Sequence, residues 1–358
     1  MKKALSLVLV CIMIVSCLVF TVSCDKDEEP AKDETITVTD MVGDKVTIPK
    51  NPKKVACVSR TTYDLLIACG LGDRIDGAYK GTLNNPWVPF IYPESKNHFV
   101  YGYNDSYETF ISRGVDLVFA PEQYIAKDLR DHGVNAVTVC LYGVPQFDEY
   151  LTFFTDLIMQ IWDSGEAKTK ATEWNKNVKK AIDEIKEELS KHEITPKKIF
   201  YVRGDKDKGI GYTDTVCAFT EYAYRVLGFD YIGSHLETNK PSAEEVIASK
   251  PDVFVCGGIY QNINIKRLHE EPYCNLDAVK NNKIYNIPIG FTAFEQLSAM
   301  TPVFFYDQAN KIYPEYFHYD IKSMVRKAVK DNFNKELTDK QIENMLNGLD
   351  AEGNPLVK

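Results

Sequence analysis

The stretch "SAEEVIASKPDVFVCGGIY" at residues 242–260 decides the fold, because an earlier stretch of equal length resembles it. Residues 106–124 read "SYETFISRGVDLVFAPEQY". Each copy begins with polar residues typical of a helix start and continues into a short apolar run typical of a buried strand. We interpret the repeat as one helix–strand unit in each half of the chain. The residues that recur in register are Ser106/Ser242, Glu108/Glu244, Ile111/Ile247, Asp116/Asp252 and Tyr124/Tyr260.

Short apolar runs alternate with helical patterns around both copies, which predicts βαβ units and a mainly parallel sheet in each half. Between the halves, residues 164–192 contain no proline and many helix formers, which predicts one helix roughly 40 Å long. The predicted fold class is therefore α/β, with two Rossmann-like lobes joined by one long helix. The predicted strands are "KVACVS" (54–59), "VDLVFA" (115–120), "AVTVCL" (136–141), "KIFYV" (198–202), "DVFVC" (252–256) and "KIYNIPI" (283–289).

The N-terminus has the pattern of an export signal. Lys2 and Lys3 precede an apolar run that ends in "TVSC" at Cys24, which predicts a lipoprotein signal peptide acylated at Cys24. Cys17, preceded by "IVS", is a rival acceptor, and an uncleaved anchor or plain secretion is the alternative. The predicted divisions are a signal peptide (1–24), an acidic tether (25–34), an N-terminal lobe (35–163), a bridging helix (164–195), a C-terminal lobe (196–319) and C-terminal helices (320–358).

Composition and motifs favour a binding protein over an enzyme. A formal net charge of −9 and a pI near 5.3 argue against a nucleic-acid partner. The sequence has no G-x-S-x-G, Walker or HExxH motif, and its six histidines are scattered. The six cysteines after Cys24 have no metal-ligand spacing, so we expect mostly buried thiols. We predict no catalytic residue, no cofactor and no protein-held metal.

Ligands of open α/β sheets bind beyond the carboxyl ends of the strands, so the residues that follow the predicted strands are candidates for a cleft. Arginines and aromatic residues are frequent there. One arginine from each half would suit a bulky anionic ligand held between two lobes, and tyrosines would supply flat, hydrogen-bonding walls. The candidates found in this way are Arg60, Tyr63, Tyr124, Tyr142, Arg203, Tyr212, Tyr260 and Phe291.

Over about residues 36–348 the chain resembles the substrate-binding lipoproteins of bacterial ABC importers for iron-siderophore complexes, haem and cobalamin. The resemblance is most specific in "TVTDMVGDKVTIPKNPKKVACVS" (37–59) and continues in "TTYDLLIACGLGDRIDGAY" (61–79), "SAEEVIASKPDVFV", "LDAVKNNKIYNIP" (276–288) and "NKELTDKQIENMLNG". It implies a class III periplasmic-binding-protein-like fold, a monomer anchored outside the cytoplasm, and ABC permease subunits as partners. The implied ligand is an iron-siderophore-type chelate, with cobalamin or haem as the alternative. An exported chelatase-like enzyme, and a surface interaction lipoprotein without a pocket, are the rivals from other classes.

The resemblance also implies that one glutamate per lobe docks onto the permease, and the matching positions are Glu108 and Glu244. The alternative is that both are helix caps, since Ser242 and Glu245 have the spacing of a capping box. The chain departs from the family at residues 81–106, which are longer and more aromatic. Because "YGY" (101–103) lies there, Tyr101 and Tyr103 are added to the predicted cleft.

Overall fold

The computed structural model describes residues 34–144, 147–207 and 209–357. The predicted signal peptide, both candidate acylation sites and nearly all of the predicted tether lie outside these ranges. Residues 35–358 form one compact unit. No helix within the described ranges is both long enough and apolar enough to cross a membrane.

The N-terminal lobe contains an antiparallel hairpin and a five-stranded parallel sheet. Its central strands are entirely buried, as their continuous apolar sequences require of strands covered on both faces. The hairpin strands are β1 (Thr35–Thr39) and β2 (Lys45–Pro49), and the sheet strands are β3 (Val55–Cys57), β4 (Ile75–Tyr79), β5 (Phe99–Tyr101), β6 (Leu117–Ala120) and β7 (Ala136–Thr138).

Helices pack on both faces of this sheet, and the last of them precedes the predicted bridging helix. They are α1 (Arg60–Ala68), α2 (Lys80–Leu83), α3 (Trp87–Ile91), α4 (Tyr107–Arg113), α5 (Gln123–Asp131), α6 (Phe147–Tyr150) and α7 (Phe153–Ile161).

The predicted long helix is α8 (Gly165–Ser190). The Ser164 hydroxyl begins it by accepting a hydrogen bond from the backbone N–H of Ala167 at 3.2 Å. Its buried face packs against α7 and against a helix of the second lobe, α13 (Thr301–Ile312), so α8 is anchored to both halves.

The C-terminal lobe contains a four-stranded parallel sheet. The chain then ends in two helices, of which the first packs back onto α1 of the N-terminal lobe. The strands are β8 (Lys198–Val202), β9 (Asp230–Tyr231), β10 (Val253–Cys256) and β11 (Ile284–Asn286); the remaining helices are α9 (Phe219–Val226), α10 (Ala243–Ala248), α11 (Gln261–Leu268), α12 (Asp277–Lys280), α14 (Ile321–Phe333) and α15 (Asp339–Leu346).

The two sheets share one strand order. The first runs β5-β4-β3-β6-β7 and the second runs β11-β10-β8-β9. Strand β3 corresponds to β8, and β6 corresponds to β10. With this correspondence, the order β9-β8-β10-β11 in the second sheet matches β4-β3-β6-β7 in the first. The repeated stretches of sequence are therefore equivalent elements, α4–β6 in one lobe and α10–β10 in the other.

Three strands of the two parallel sheets were missing from the sequence prediction: β4, β5 and β9. The sequence prediction placed no strand between residues 59 and 115, although residues 75–79 form β4 next to the central β3. Strands β5 and β9 have only three and two residues, and β4 includes Gly77, whose missing side chain lets the Phe99 carbonyl of β5 approach closely.

Candidate functional site

A cavity of about 380 Å³ lies between the two lobes, at the carboxyl ends of the central strands of both sheets. It therefore occupies the position that the strand-end rule predicts. Residues from both lobes line it, and seven of the ten predicted cleft residues are among them. These seven are Arg60, Tyr103, Tyr142, Arg203, Tyr212, Tyr260 and Phe291.

Contacts between the lobes close parts of the cavity boundary. The side chain of Asn85, in the longer 81–106 segment, donates to the carbonyls of Gly290 and Phe291 at 2.9 and 3.1 Å. Elsewhere, residues 141–144 pair with residues 217–219 through two backbone hydrogen bonds of 3.1 and 3.2 Å. The two lobes are thus linked at the cavity itself as well as through α8.

Arg60 is the first residue of α1 and is exposed at the cavity. Its guanidinium centre lies 5.1 Å from the ring centroid of Tyr79, which in turn makes an edge contact with Tyr103. No carboxylate in the described ranges forms an ion pair with Arg60. This arginine therefore presents a positive charge supported by an aromatic ring.

Arg203 follows β8 and is held differently. It donates a 3.1 Å hydrogen bond to Asp214, which is almost fully buried and also accepts a bond from Thr220 at 2.7 Å. The guanidinium also contacts the ring faces of Tyr142, at 4.6 Å, and Tyr212, at 5.0 Å. Burial raises the pKa of Asp214, and the positive charge of Arg203 opposes that rise. The positive charge of Arg203 is thus largely compensated by Asp214, and its guanidinium is stacked on tyrosine rings in the wall of the cavity.

Glu295 is a buried carboxyl group in the cavity lining, only 4% exposed. Its Oε1 accepts a 2.6 Å hydrogen bond from the backbone N–H of Gly258. A side chain at Gly257 would bring its Cβ within 2.6 Å of the same oxygen, so the glycine pair after β10 makes room for this carboxyl group. Burial raises the pKa of Glu295 to about 7, while the bond from Gly258 acts to lower it.

Three predicted cleft residues do not line the cavity. Tyr63 lies in the core, where its hydroxyl bonds His98 Nδ1 at 2.9 Å and its ring stacks on Phe291, because it is on the buried face of α1. Tyr101 is buried because β5 directs it towards α4, and its hydroxyl donates to Asp76 at 2.5 Å. Tyr124 is 61% exposed on the first turn of α5.

Several lining residues were absent from the predicted site. Asp214 and Glu295 lie in long loops rather than directly after a strand, so the strand-end rule does not reach them. The sequence signal for Glu295 is a lone carboxylate within the otherwise uncharged "FTAFEQLSAM". Glu122 follows β6 directly and accepts a 2.9 Å hydrogen bond from Tyr103.

Glu108 and Glu244 are both exposed, each at the second residue of its helix. The predicted capping box is present in α10, but its acidic partner is Glu245, which accepts from the Ser242 N–H at 2.7 Å. Glu244 takes no part in that box. The Ser106 side chain hydrogen-bonds to the Glu108 carboxylate and lowers its pKa. Docking by these residues stays a prediction.

The described residues contain no group of three or more His, Cys, Asp or Glu side chains arranged to hold a metal ion. The six cysteines from Cys57 onwards are free thiols, four of them buried. Burial raises the pKa of Cys140, which lines the cavity, to about 12, so its thiolate is a poor candidate for a ligand.

Comparison with known proteins gives a consistent result. No protein-family model matches the chain. The substrate-binding lipoprotein YvrC of Bacillus subtilis, an ABC transporter protein described as uncharacterized, is 24% identical over 274 residues, which are 74% of this chain and 82% of YvrC.

Solved structures share the fold. The molybdate periplasmic binding protein MolA of Haemophilus influenzae, bound to molybdate, has a TM-score of 0.70 at 17% identity and covers 85% of this chain and 99% of its own. A protein of an Fe³⁺-hydroxamate ABC transport system from Saccharomonospora viridis has a TM-score of 0.60 at 17% identity, covering 78% and 98%. The predicted two-lobed α/β fold of class III periplasmic binding proteins, and the resemblance to substrate-binding lipoproteins of ABC importers, are confirmed.

Proposed function

We propose that this chain is the extracytoplasmic substrate-binding component of an ABC importer. It captures an iron-siderophore-type metal chelate in the cavity between its lobes and delivers it to a membrane permease, with Cys24 as the lipid-anchored residue. The main observation in favour is that Arg60, Arg203 and tyrosines from both lobes converge on one interlobe cavity. The metal arrives with its own ligands, and the protein performs no chemical step.

The relatives support this role by what their descriptions say of them. YvrC is described as a substrate-binding lipoprotein, and the Saccharomonospora viridis protein as part of an Fe³⁺-hydroxamate transport system. The cavity volume of about 380 Å³ is at the lower end of the range for small-molecule sites, roughly 300–1,000 Å³. That volume favours a compact chelate over the larger cobalamin.

A thermal-shift screen of the full chain against ferric chelates, haem, cobalamin and bare divalent metals tests the proposal. A chelate at 100 times its dissociation constant stabilises the folded state by about 2.7 kcal/mol and raises the unfolding midpoint. A shift with a ferric chelate and none with the bare metals is expected. No shift with any metallated ligand would rule out the proposed function.

A further inference from the structure

The cavity carries more carboxyl groups than its arginines can neutralise. Asp214 already engages Arg203, which leaves Arg60 as the arginine outside an ion pair in the described lining. A ligand with several negative charges would therefore face repulsion that Arg60 alone cannot offset. The arginines of the described lining are Arg60 and Arg203, and its carboxyl groups include Glu122, Asp214 and Glu295.

Glu295 has an unused hydrogen-bonding atom. Its Oε1 is occupied by the Gly258 N–H, whereas Oε2 is buried and has no hydrogen-bond partner within the described residues. A buried carboxyl oxygen without a hydrogen-bond partner destabilises the folded protein. An N–H group supplied by a ligand would remove that destabilisation.

The N-terminal lobe also contains a buried polar atom that has no hydrogen-bond partner within the described residues. Thr82, which is buried in the cavity lining, has a hydroxyl with no partner within the described residues. The side chain of Glu122, on the same lobe, adds a second carboxylate to the lining. Both lobes therefore offer neutral or negative acceptors rather than a uniformly positive surface.

Resting on the proposed function, we propose that the cavity selects metal chelates of low net negative charge whose surface carries N–H groups, and that Glu295 accepts a hydrogen bond from such a group. An amide or ammonium group on a chelate supplies this donor. A chelate whose surface consists of carboxylate oxygens supplies none and adds repulsion from Glu122.

Two ferric chelates that share one iron-binding scaffold but differ in their terminal charged group test the proposed preference for N–H donors and low negative charge. Ferrioxamine B is a ferric trihydroxamate with amide N–H groups and a terminal ammonium group, and its N-succinyl derivative replaces that ammonium with a carboxylate-bearing amide. In calorimetric titrations, the native protein should bind ferrioxamine B about ten-fold more tightly than the derivative, corresponding to about 1.4 kcal/mol. The variant Glu295→Gln should weaken ferrioxamine B binding about ten-fold and narrow the preference between the probes.

The matched control is Glu237→Gln, which makes the same chemical change at an exposed carboxylate outside the cavity lining. Its affinities should equal those of the native protein, and unfolding midpoints should establish that both variants are folded. Tighter binding of the succinyl derivative, or an unchanged preference in Glu295→Gln, would overturn the inference. If neither probe binds while another chelate shifts the unfolding midpoint, the inference fails and the proposed function stands. If no metallated ligand binds, both fail.

Discussion

The two repeated helix–strand units have the same backbone order, and one pair of repeated residues performs the same task in each. Asp116, before β6, accepts hydrogen bonds from the backbone N–H groups of Lys53 and Lys54 at 2.7 and 2.9 Å. Asp252, before β10, accepts one from Lys198 at 2.8 Å. Each aspartate fastens the start of the neighbouring central strand, which explains its recurrence in physical terms.

The helices of these units are held at opposite ends. At the C-terminus of α4, Arg113 forms two hydrogen bonds of 2.6 and 2.7 Å with the buried Asp76 of β4. In α10 the capping box of Ser242 and Glu245 fixes the N-terminus instead. The repeat therefore preserves the strand pairing while the helix attachments diverge. Glu108 and Glu244 recur without providing either attachment, which favours a role outside the fold.

The largest expected effect concerns this pair of glutamates. Replacing both Glu108 and Glu244 with alanine should reduce chelate uptake by cells at least ten-fold, because each removes a charge proposed to meet a positive permease surface. The affinity of the purified protein for its ligand should not change. Uptake of a radioactive metal chelate, together with titration of the purified variant, measures both quantities.

The matched control is Glu245→Ala, which removes the capping residue next to Glu244. It should lower the free energy of unfolding by about 1 kcal/mol and leave uptake intact. Normal uptake in the Glu108/Glu244 double variant would exclude the docking role, and loss of uptake in Glu245→Ala alone would point to helix stability instead.

The second largest effect is expected from breaking the hydrogen bonds that hold the C-terminus of α4. Arg113→Ala should lower the free energy of unfolding by about 2 kcal/mol, because it leaves the buried Asp76 carboxylate with only Tyr101 and Lys54 as partners. The matched position of the other unit is Ser249, whose hydroxyl bonds only the Val246 carbonyl of its own helix. Ser249→Ala should change stability by at most about 0.5 kcal/mol in the same denaturant titration.

The Arg113 effect should also depend on pH. Burial alone would raise the pKa of Asp76, but hydrogen bonds from Arg113, Tyr101 and Lys54 outweigh it and hold the pKa below its usual value. A carboxyl group with a lowered pKa stabilises the fold above its unfolded pKa and loses that contribution as pH falls through the folded value. The difference between native protein and Arg113→Ala should therefore shrink below about pH 4. If the difference in unfolding free energy did not change with pH, the effect of Arg113→Ala would not depend on the ionisation of Asp76.

The sequence predicted the parts of the molecule that depend on regular patterns. Continuous apolar runs identified β3, β6 and β10, and the proline-free segment identified α8, because both features follow from burial and local propensity. The missed β4 is next to the central strand, but its sequence "IDGAY" combines a glycine and an aspartate that are poor strand formers.

The site was most predictable where residues directly follow strands. Arg60 and Arg203 line the cavity as predicted by position, yet the pairing of Arg203 with Asp214 depends on a long loop whose path no local pattern sets. Tyr63 and Tyr101 show the converse error, since an aromatic residue near a strand end can equally well face the core. Which way it faces depends on tertiary packing.

The smallest expected effect concerns the residues that follow α4 and α10. Gly114 and Lys250 occupy matched positions and both have positive φ angles, +64° and +49°. This conformation suits glycine and strains lysine. Gly114→Ala should therefore destabilise the fold by about 1 kcal/mol and Lys250→Gly should stabilise it by a few tenths to about 1 kcal/mol. Because the space around the Gly114 Cα is open, no clash contributes to the first value. Thermal unfolding of both variants gives the comparison, and two changes of the same sign would show that the two helix ends are not equivalent.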